Sequence, residues 1–276
     1  MTDQPSQVEP SLRIGLLGPI KAWVDDAERY IGPPRQREVL AVLALCRGRV
    51  VSVGQITAAV WGSRAPARAE NLVHTYVGRL RRALQRATQQ SGSEPLLRSH
   101  RPGYTLLIKP ECLDVSCFEG DVARARAAVS RGDLVTGRAE LRRALARWRG
   151  SALHEASGPL AEAERARLNE MRQEVIEELL SVRLMLGDHQ GLVPDLRRML
   201  VEQPLRERLW ALLLVALDRM SRRAEALTAY HEARAALGSR LGVEPGRELQ
   251  ALHRDLLRSV PVTVNYPMLS PWTRAS

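Results

Sequence analysis

The sequence NLVHTYVGRLRRAL at residues 71–84 decides the fold of the first half of the chain. At 100° per residue its apolar side chains fall within about 40° of Val73, which gives the stripe that an amphipathic helix turns to a core. The stripe consists of Val73, Val77, Leu80 and Leu84. The opposite face carries Asn71, Thr75, Arg79 and Arg82, flanked by His74 and Arg81. We therefore predict a helix over about residues 67–88 with one buried and one exposed side.

The exposed side of this helix carries side-chain types that can contact DNA bases. An α-helix about 10–12 Å wide fits the major groove, which is about 12 Å wide. Arg bonds guanine, Asn bonds adenine, and Thr contacts the methyl group of thymine. Gly78 lies on the same face, where it costs about 1 kcal/mol relative to Ala, a cost that close approach to a ligand would offset. We predict a recognition helix; the alternative is a solvated helix whose arginines keep the protein soluble.

The segments around this helix predict a winged helix. Residues 12–24 contain short β-rich runs that indicate a small antiparallel sheet. One helix begins at Gly32-Pro33-Pro34 and runs to Cys46. A second begins at Ser52, three residues before Gln55 as in a capping box, and ends at Trp61. The stretch 96–108 is a hairpin candidate, so that three helices precede a β wing.

The predicted wing supplies further contacts to nucleic acid. Its basic residues Arg98, His100 and Arg101 stand next to a Pro-Gly turn. A basic hairpin can lie along phosphates or enter a minor groove. Hydroxyl groups of Tyr104 and Thr105 add two candidate hydrogen bonds to phosphate. The alternative is an ordinary surface hairpin.

The charge distribution favours a polyanionic partner for the first half. The chain has a formal net charge of +10, and residues 1–113 hold 16 Lys or Arg against nine Asp or Glu. Residues 114–276 hold 25 against 22, which is close to balance. A local positive field of this kind attracts nucleic acid.

The second half predicts an all-helical, tetratricopeptide-like domain. Gly187 and Ser221 each follow a long apolar helix and lie 34 residues apart, which is the tetratricopeptide period. One helix face is expected to bury Leu209, Leu212, Leu213 and Ala216. The next helix is expected to pack on it through Ala226, Ala229, Tyr230 and Ala233.

Several functional classes find no support in the sequence. Three cysteines without a CxxC pair favour neither a disulfide framework nor a zinc site, and no P-loop, GxSxG, HExxH or GxGxxG motif occurs. We therefore expect no enzyme activity, no cofactor and no metal. No apolar run reaches the roughly 18 residues that span a bilayer, and the first residues lack a secretory signal. The expected location is the cytoplasm, in association with the nucleoid.

Long ordered motifs resemble the Streptomyces antibiotic regulatory protein family. In the first half they are GPPRQREVLAVLALCRGRVVSVGQITAAVWG at 32–62, NLVHTYVGRLRRAL at 71–84 and RPGYTL at 101–106. In the second half they extend over 159–189 and 204–253. The resemblance covers about residues 12–258 and implies an OmpR-type winged helix followed by a bacterial transcriptional activation domain.

The resemblance also implies a function and partners. It implies activation of a secondary-metabolite gene cluster by binding direct repeats of double-stranded DNA near promoters. RNA polymerase holoenzyme would be recruited, and two or more protomers would stand side by side on the DNA. By position it makes Asn71, Thr75, Arg79 and Arg82 the recognition residues.

Two positions depart from the family pattern. The family commonly has Arg-Pro-Pro-Gly-Tyr in the wing, where this chain reads His100-Arg101-Pro102-Gly103-Tyr104. Either His100 replaces the wing arginine or Arg101 acts from a shifted place. Glu70 stands where the family often has Arg, and its carboxylate would repel phosphates.

The expected architecture is mainly α with small β-sheets. We place a disordered tail at 1–11, the winged helix at 12–110, the helical domain at 114–258 and a C-terminal tail at 259–276. Two other functions remain open: a helical-repeat scaffold for protein partners, and a ligand-sensing repressor with the same DNA reader.

Overall fold

A computed structural model describes residues 12–88 and 96–258, without the side chains of 85–88. The two expected tails and the expected linker at 89–95 lie outside the described residues. The described part is mainly helical with two small antiparallel sheets, which confirms the predicted fold class. None of its helices is long and apolar enough to cross a membrane.

The first sheet has three short strands in the order β1-β2-β3. The strands are β1 Leu12–Gly15, β2 Lys21–Val24 and β3 Ala27–Arg29. Leu12 on β1 pairs with Val24 on β2, and both are buried. Arg13, the next residue of β1, is exposed. This alternation arises because successive side chains of a strand point to opposite faces. The predicted antiparallel sheet is therefore confirmed.

Three helices follow, as the sequence predicts: α1 Pro34–Leu45, α2 Val53–Trp61 and α3 Ala69–Thr88. Pro34 occupies the first turn of α1, where its missing amide proton has no cost. Ser52 caps α2: its hydroxyl accepts from the Gln55 amide, and the Gln55 side chain accepts from the Ser52 amide. The capping box is confirmed, and it fixes where α2 begins.

The second sheet joins the hairpin to a strand that precedes α2. Its strands are β4 Val51–Ser52, β5 Leu97–Ser99 and β6 Gly103–Leu106, in the order β4-β6-β5. Gly103 pairs with Ser52, and a Cβ at this position would collide with the carbonyl oxygen of Val51. Glycine is therefore required for the pairing that anchors the wing. The hairpin pattern alone does not reveal β4.

The remaining helices of the described residues make up the second half of the chain. Their bounds are α4 Asp114–Ser130, α5 Leu134–Ala146, α6 Pro159–Met185, α7 His189–Glu202, α8 Glu207–Arg219, α9 Arg223–Leu241 and α10 Arg247–Leu257. Contacts divide the chain into two compact units. The first combines residues up to 123 with 143–172, and the second combines 124–142 with the residues from 173 onward.

The first unit is held together by buried polar contacts between residues distant in sequence. Both carboxylate oxygens of Asp114 accept from the amide of Leu16, at 2.8 and 2.9 Å, and one accepts from Leu17 at 3.0 Å. Glu38, 2% exposed, accepts from the amides of Ser157 and Gly158. The compact units do not coincide with the predicted domains 12–110 and 114–258, since the first unit also includes residues 143–172. Those domain limits therefore stay a prediction.

The second unit repeats a helix–turn–helix pattern. Gly187 and Ser221 both adopt positive φ, 86° and 60°, so each ends a helix in the left-handed conformation. The residues that we expected on the facing sides of α8 and α9 are all buried. The equivalent turn geometry 34 residues apart agrees with a tetratricopeptide-like repeat.

Candidate nucleic-acid interface

Helix α3, the candidate recognition helix, is oriented by its apolar stripe. Val73, Val77, Leu80 and Leu84 are each 2% exposed or less. Helix α3 packs against both α1 and α2. Burial of one stripe fixes the rotation of the helix, so that the opposite face must point outward.

The outward face carries the predicted base-reading residues. Asn71, Thr75, Arg79 and Arg82 are all exposed. The hydroxyl of Thr75 donates to the carbonyl of Asn71 at 2.9 Å, and Nε of Arg82 lies 3.4 Å from the carbonyl of Gly78. Neither Arg79 nor Arg82 forms an ion pair with any described residue. Two positive charges on this face are thus not neutralised within that part of the protein.

The wing is a short hairpin beside α3. The amide of His100 donates to the carbonyl of Gly103 at 2.8 Å and closes the turn. His100 and Arg101 are exposed at the tip, whereas Arg98 is half-buried on β5. The hairpin therefore presents two of its three predicted basic side chains to the surroundings.

Arg81 connects α3 to the wing. Its Nε donates to the carbonyl of Leu97 at 3.0 Å, and its Nη2 donates to the hydroxyl of Ser99 at 2.8 Å. The guanidinium group is therefore bound to both the backbone and a side chain of β5. In this structure the charge of Arg81 stabilises the position of the hairpin.

His74 makes a second connection between α3 and the wing. Its Nδ1 lies 2.6 Å from the hydroxyl of Tyr104 on β6, and the two rings meet edge to face. A hydrogen bond at this distance holds both side chains. Together with the contacts of Arg81, it fixes the distance between the recognition helix and the wing.

One minor prediction about the wing is wrong. Thr105 is 2% exposed, and its hydroxyl has no hydrogen-bond partner among the described residues. Successive side chains of a strand point to opposite faces, and on β6 that of Thr105 points into the core, so it cannot reach a phosphate. Tyr104, on the opposite face of the strand, is engaged by His74.

The structure adds basic residues that the sequence analysis did not single out. Arg64 ends a short 3-10 helix after α2 and Arg68 directly precedes α3; both are exposed without an ion-pair partner in the described part of the chain. They flank the amino end of α3, where helix amides favour an anion. Arg68 directly precedes Ala69, the first residue of α3, so its sequence position could have indicated it, whereas Arg64 follows no periodic pattern. Glu70, also exposed, lies in the same first turn.

The described residues offer no alternative site of metal chemistry. No group of three or more His, Cys, Asp or Glu within 12–88 and 96–258 is arranged to hold a metal ion.

Two family models match the chain. The model described as "Transcriptional regulatory protein, C terminal" matches residues 28–106. The model described as "Bacterial transcriptional activator domain" matches residues 113–257, which is more than half of the chain. The first match includes α3 and the wing, and the second includes all the helices from α4 to α10.

Curated relatives match nearly the whole of this chain. Regulatory protein AfsR of Streptomyces coelicolor is 38% identical over 93% of this chain, which spans only 25% of that protein. Regulatory protein DnrI of Streptomyces peucetius is 36% identical over 91% of this chain, and the match covers 93% of DnrI. The chain is therefore similar in extent to DnrI and to a quarter of AfsR.

A solved structure has the same fold. The structure of Mycobacterium tuberculosis EmbR in complex with a low affinity phosphopeptide matches with a TM-score of 0.87 at 31% identity. The match covers 92% of this chain and 67% of EmbR. The combined matches show that this chain belongs to the Streptomyces antibiotic regulatory protein family of transcriptional regulators.

Proposed function

We propose that this chain is a sequence-specific DNA-binding activator of a secondary-metabolite gene cluster. One observation carries the proposal: α3 buries its apolar stripe completely and exposes Asn71, Thr75, Arg79 and Arg82 together. Arginines that only kept the protein soluble could stand in any arrangement on the helix. This face instead groups the residue types that recognise adenine, thymine and guanine.

In the proposed complex, α3 lies in the major groove. Arg79 and Arg82 bond to guanine edges or nearby phosphates, and Asn71 bonds to adenine. Among the described residues neither arginine has an ion pair, which supports this role, since no carboxylate of that part has to be displaced on binding. Base contacts then determine the sequence preference, whereas phosphate contacts supply most of the affinity.

The wing and the loop before α3 hold the DNA backbone on either side of the helix. His100 and Arg101 contact phosphates or the adjacent minor groove, with Arg98 at the base of the hairpin. Arg64 and Arg68 contact phosphates near the amino end of α3. His74 and Arg81 act on the DNA by holding the wing at a fixed distance from α3, as their hydrogen bonds to β5 and β6 support.

The helical repeats make the protein contacts of the activator. Residues 114–258 act as the activation domain and help recruit RNA polymerase holoenzyme, and residues 12–110 act as the DNA-binding domain. Protomers bind side by side on direct repeats near promoters, in the cytoplasm at the nucleoid. The description of the matching domain as a transcriptional activator supports the positive sign of regulation.

The test combines binding with transcription. The wild-type protein selects duplexes from a randomised pool, and a mobility shift compares the selected duplex with its scrambled version at moderate salt. Transcription by RNA polymerase holoenzyme is then measured on a template that carries the selected sequence ahead of a promoter. We expect preferential binding and increased transcript. Genomic copies of the selected sequence should occur as tandem repeats ahead of a biosynthetic cluster.

Two results would contradict the proposal in different ways. Equal binding of selected and scrambled duplexes would favour a protein scaffold. Sequence-dependent binding that lowers the amount of transcript would favour a repressor with the same DNA reader.

A further inference from the structure

Gly78 lies in the middle of α3, on the exposed polar face. Its neighbours one turn away on this face are His74, Thr75, Arg81 and Arg82. Glycine is the weakest helix former after proline. A glycine in the interior of the helix that reads DNA therefore needs a reason.

The fold of this chain does not supply that reason. A Cβ built at Gly78 meets no atom within 4 Å, and the residue does not have positive φ. Two other glycines of the described chain are required by packing: a Cβ at Gly103 would collide with the backbone of Val51, and one at Gly137 would collide with the side chain of Val129. Those two glycines serve packing, whereas the space in front of Gly78 is empty.

We propose that Gly78 is the point at which the backbone of α3 contacts base edges on the floor of the major groove. This inference rests on the proposed function and adds the residue that sets how deeply the helix enters. A helix about 10–12 Å wide almost fills a groove about 12 Å wide, so clearance at the floor is small. One added carbon extends the surface by a bond of about 1.5 Å, and this displaces the helix outward.

The neighbours of Gly78 depend on this depth. Thr75 and Arg82 lie on either side of it, and Nε of Arg82 is held 3.4 Å from the carbonyl of Gly78. Hydrogen bonds to bases need donor–acceptor distances of about 2.7–3.2 Å. A methyl group at residue 78 would therefore weaken the base contacts of both neighbours without changing either side chain.

The test uses two substitutions at Gly78 and the same two at a matched glycine. Gly238 is exposed within α9, and a Cβ there also meets nothing within 4 Å. Ala and Leu both form helices better than Gly, so all four variants should raise the melting temperature, by about 2–4 °C for each Ala. Duplex selected by the wild-type protein is the binding probe, with its scrambled version as competitor.

We expect stability and binding to diverge only at residue 78. Gly78→Ala should weaken binding of the selected duplex by about tenfold or more, and Gly78→Leu should weaken it further. Gly238→Ala and Gly238→Leu should bind as the wild-type protein does.

Three results would overturn the inference. Unchanged affinity of Gly78→Ala and Gly78→Leu would show that no close contact occurs there, and the proposed function would stand. A lower melting temperature of Gly78→Ala would show that the glycine serves the fold. If the wild-type protein itself did not prefer the selected duplex, the proposed function would fail together with this inference.

Discussion

Two exposed arginines of α3 and two arginines of the helical repeats differ in whether they form ion pairs within the described residues. At the start of α9, Arg222 forms two hydrogen bonds to Glu225, and later in the helix Arg234 forms two to Glu244. Hydrogen bonding with Arg234 lowers the pKa of Glu244, so this pair stays ionised. Arg79 and Arg82 have no such carboxylate within the described residues.

The comparison shows that exposure of an arginine does not indicate its function. Arg198 on α7 is also exposed without an ion pair in the described chain, yet no polar base-reading residues surround it in a pattern like that of α3. What distinguishes α3 is the combination of unpaired arginines, Asn, Thr and a bare glycine on one face. Arginine paired within the protein stabilises the fold; arginine grouped in this way is available to a partner.

The largest effect is expected where backbone amides lose the buried carboxylate to which they donate. Glu38→Ala leaves the amides of Ser157 and Gly158 without an acceptor and removes the ion pair with Arg35. Unsatisfied buried groups of this kind cost about 3 kcal/mol in total, so the free energy of unfolding should fall by about that amount. Chemical denaturation measures the change.

The control for Glu38 is an exposed pair. Glu244→Ala removes a bidentate partner of Arg234 at the surface, where ion pairs contribute little to stability. If both variants lost equal stability, burial would not be the cause of the effect at Glu38.

The next effect separates an arginine that we propose to bind DNA from an exposed arginine of the helical repeats. Arg79→Ala should lower affinity for the selected duplex by about 1–3 kcal/mol and relax specificity, with an unchanged melting temperature. Arg198→Ala removes one charge from the helical repeats and should leave specificity intact. If Arg79→Ala kept the wild-type ratio of affinities for the selected and the scrambled duplex, our assignment of this residue would be contradicted.

A smaller effect is expected from Arg81, which lies on α3 but is bound within the protein. Arg81→Ala removes the hydrogen bonds to Leu97 and Ser99, so the wing should lose its fixed distance from α3. We expect faster amide hydrogen exchange in β5 and β6 and affinity lower by roughly 1 kcal/mol, through loss of wing contacts. Ser99→Ala removes only one of these bonds and should have a weaker effect. A loss of affinity without faster exchange would show that Arg81 contacts DNA directly.

The smallest effect tests whether the repeats tolerate an added positive charge. Desolvation, with the nearby His231 and Arg234, lowers the pKa of His253, whose ring stacks on Tyr230 at 3.8 Å. The unfolded chain then binds the proton more readily, so stability is complete above the ordinary histidine pKa of about 6.5 and falls as the pH drops below it. Denaturation curves of the wild-type protein and His253→Gln between neutral and mildly acidic pH measure this. A pH dependence equal in both would exclude His253 as the cause.

Much of the fold could be predicted because its signals are local and periodic. The stripe of α3 and the capping box of Ser52 each depend on residues within a few turns of one another, and the 34-residue interval between Gly187 and Ser221 is a repeat along the chain. Local signals did not reveal β4, which forms only because Gly103 allows β6 to approach Val51. Strand pairing over fifty residues leaves no mark in a short window of sequence.

The candidate site follows the same division. The sequence by itself determined which residues of α3 face outward, because a helix has a fixed period and apolar side chains leave water. Only the tertiary structure decided that Arg81 and His74 bind the wing and that Thr105 points into the core. The physical reason is that periodicity gives the direction of a side chain, whereas its partner depends on which distant segment the fold brings within hydrogen-bonding distance.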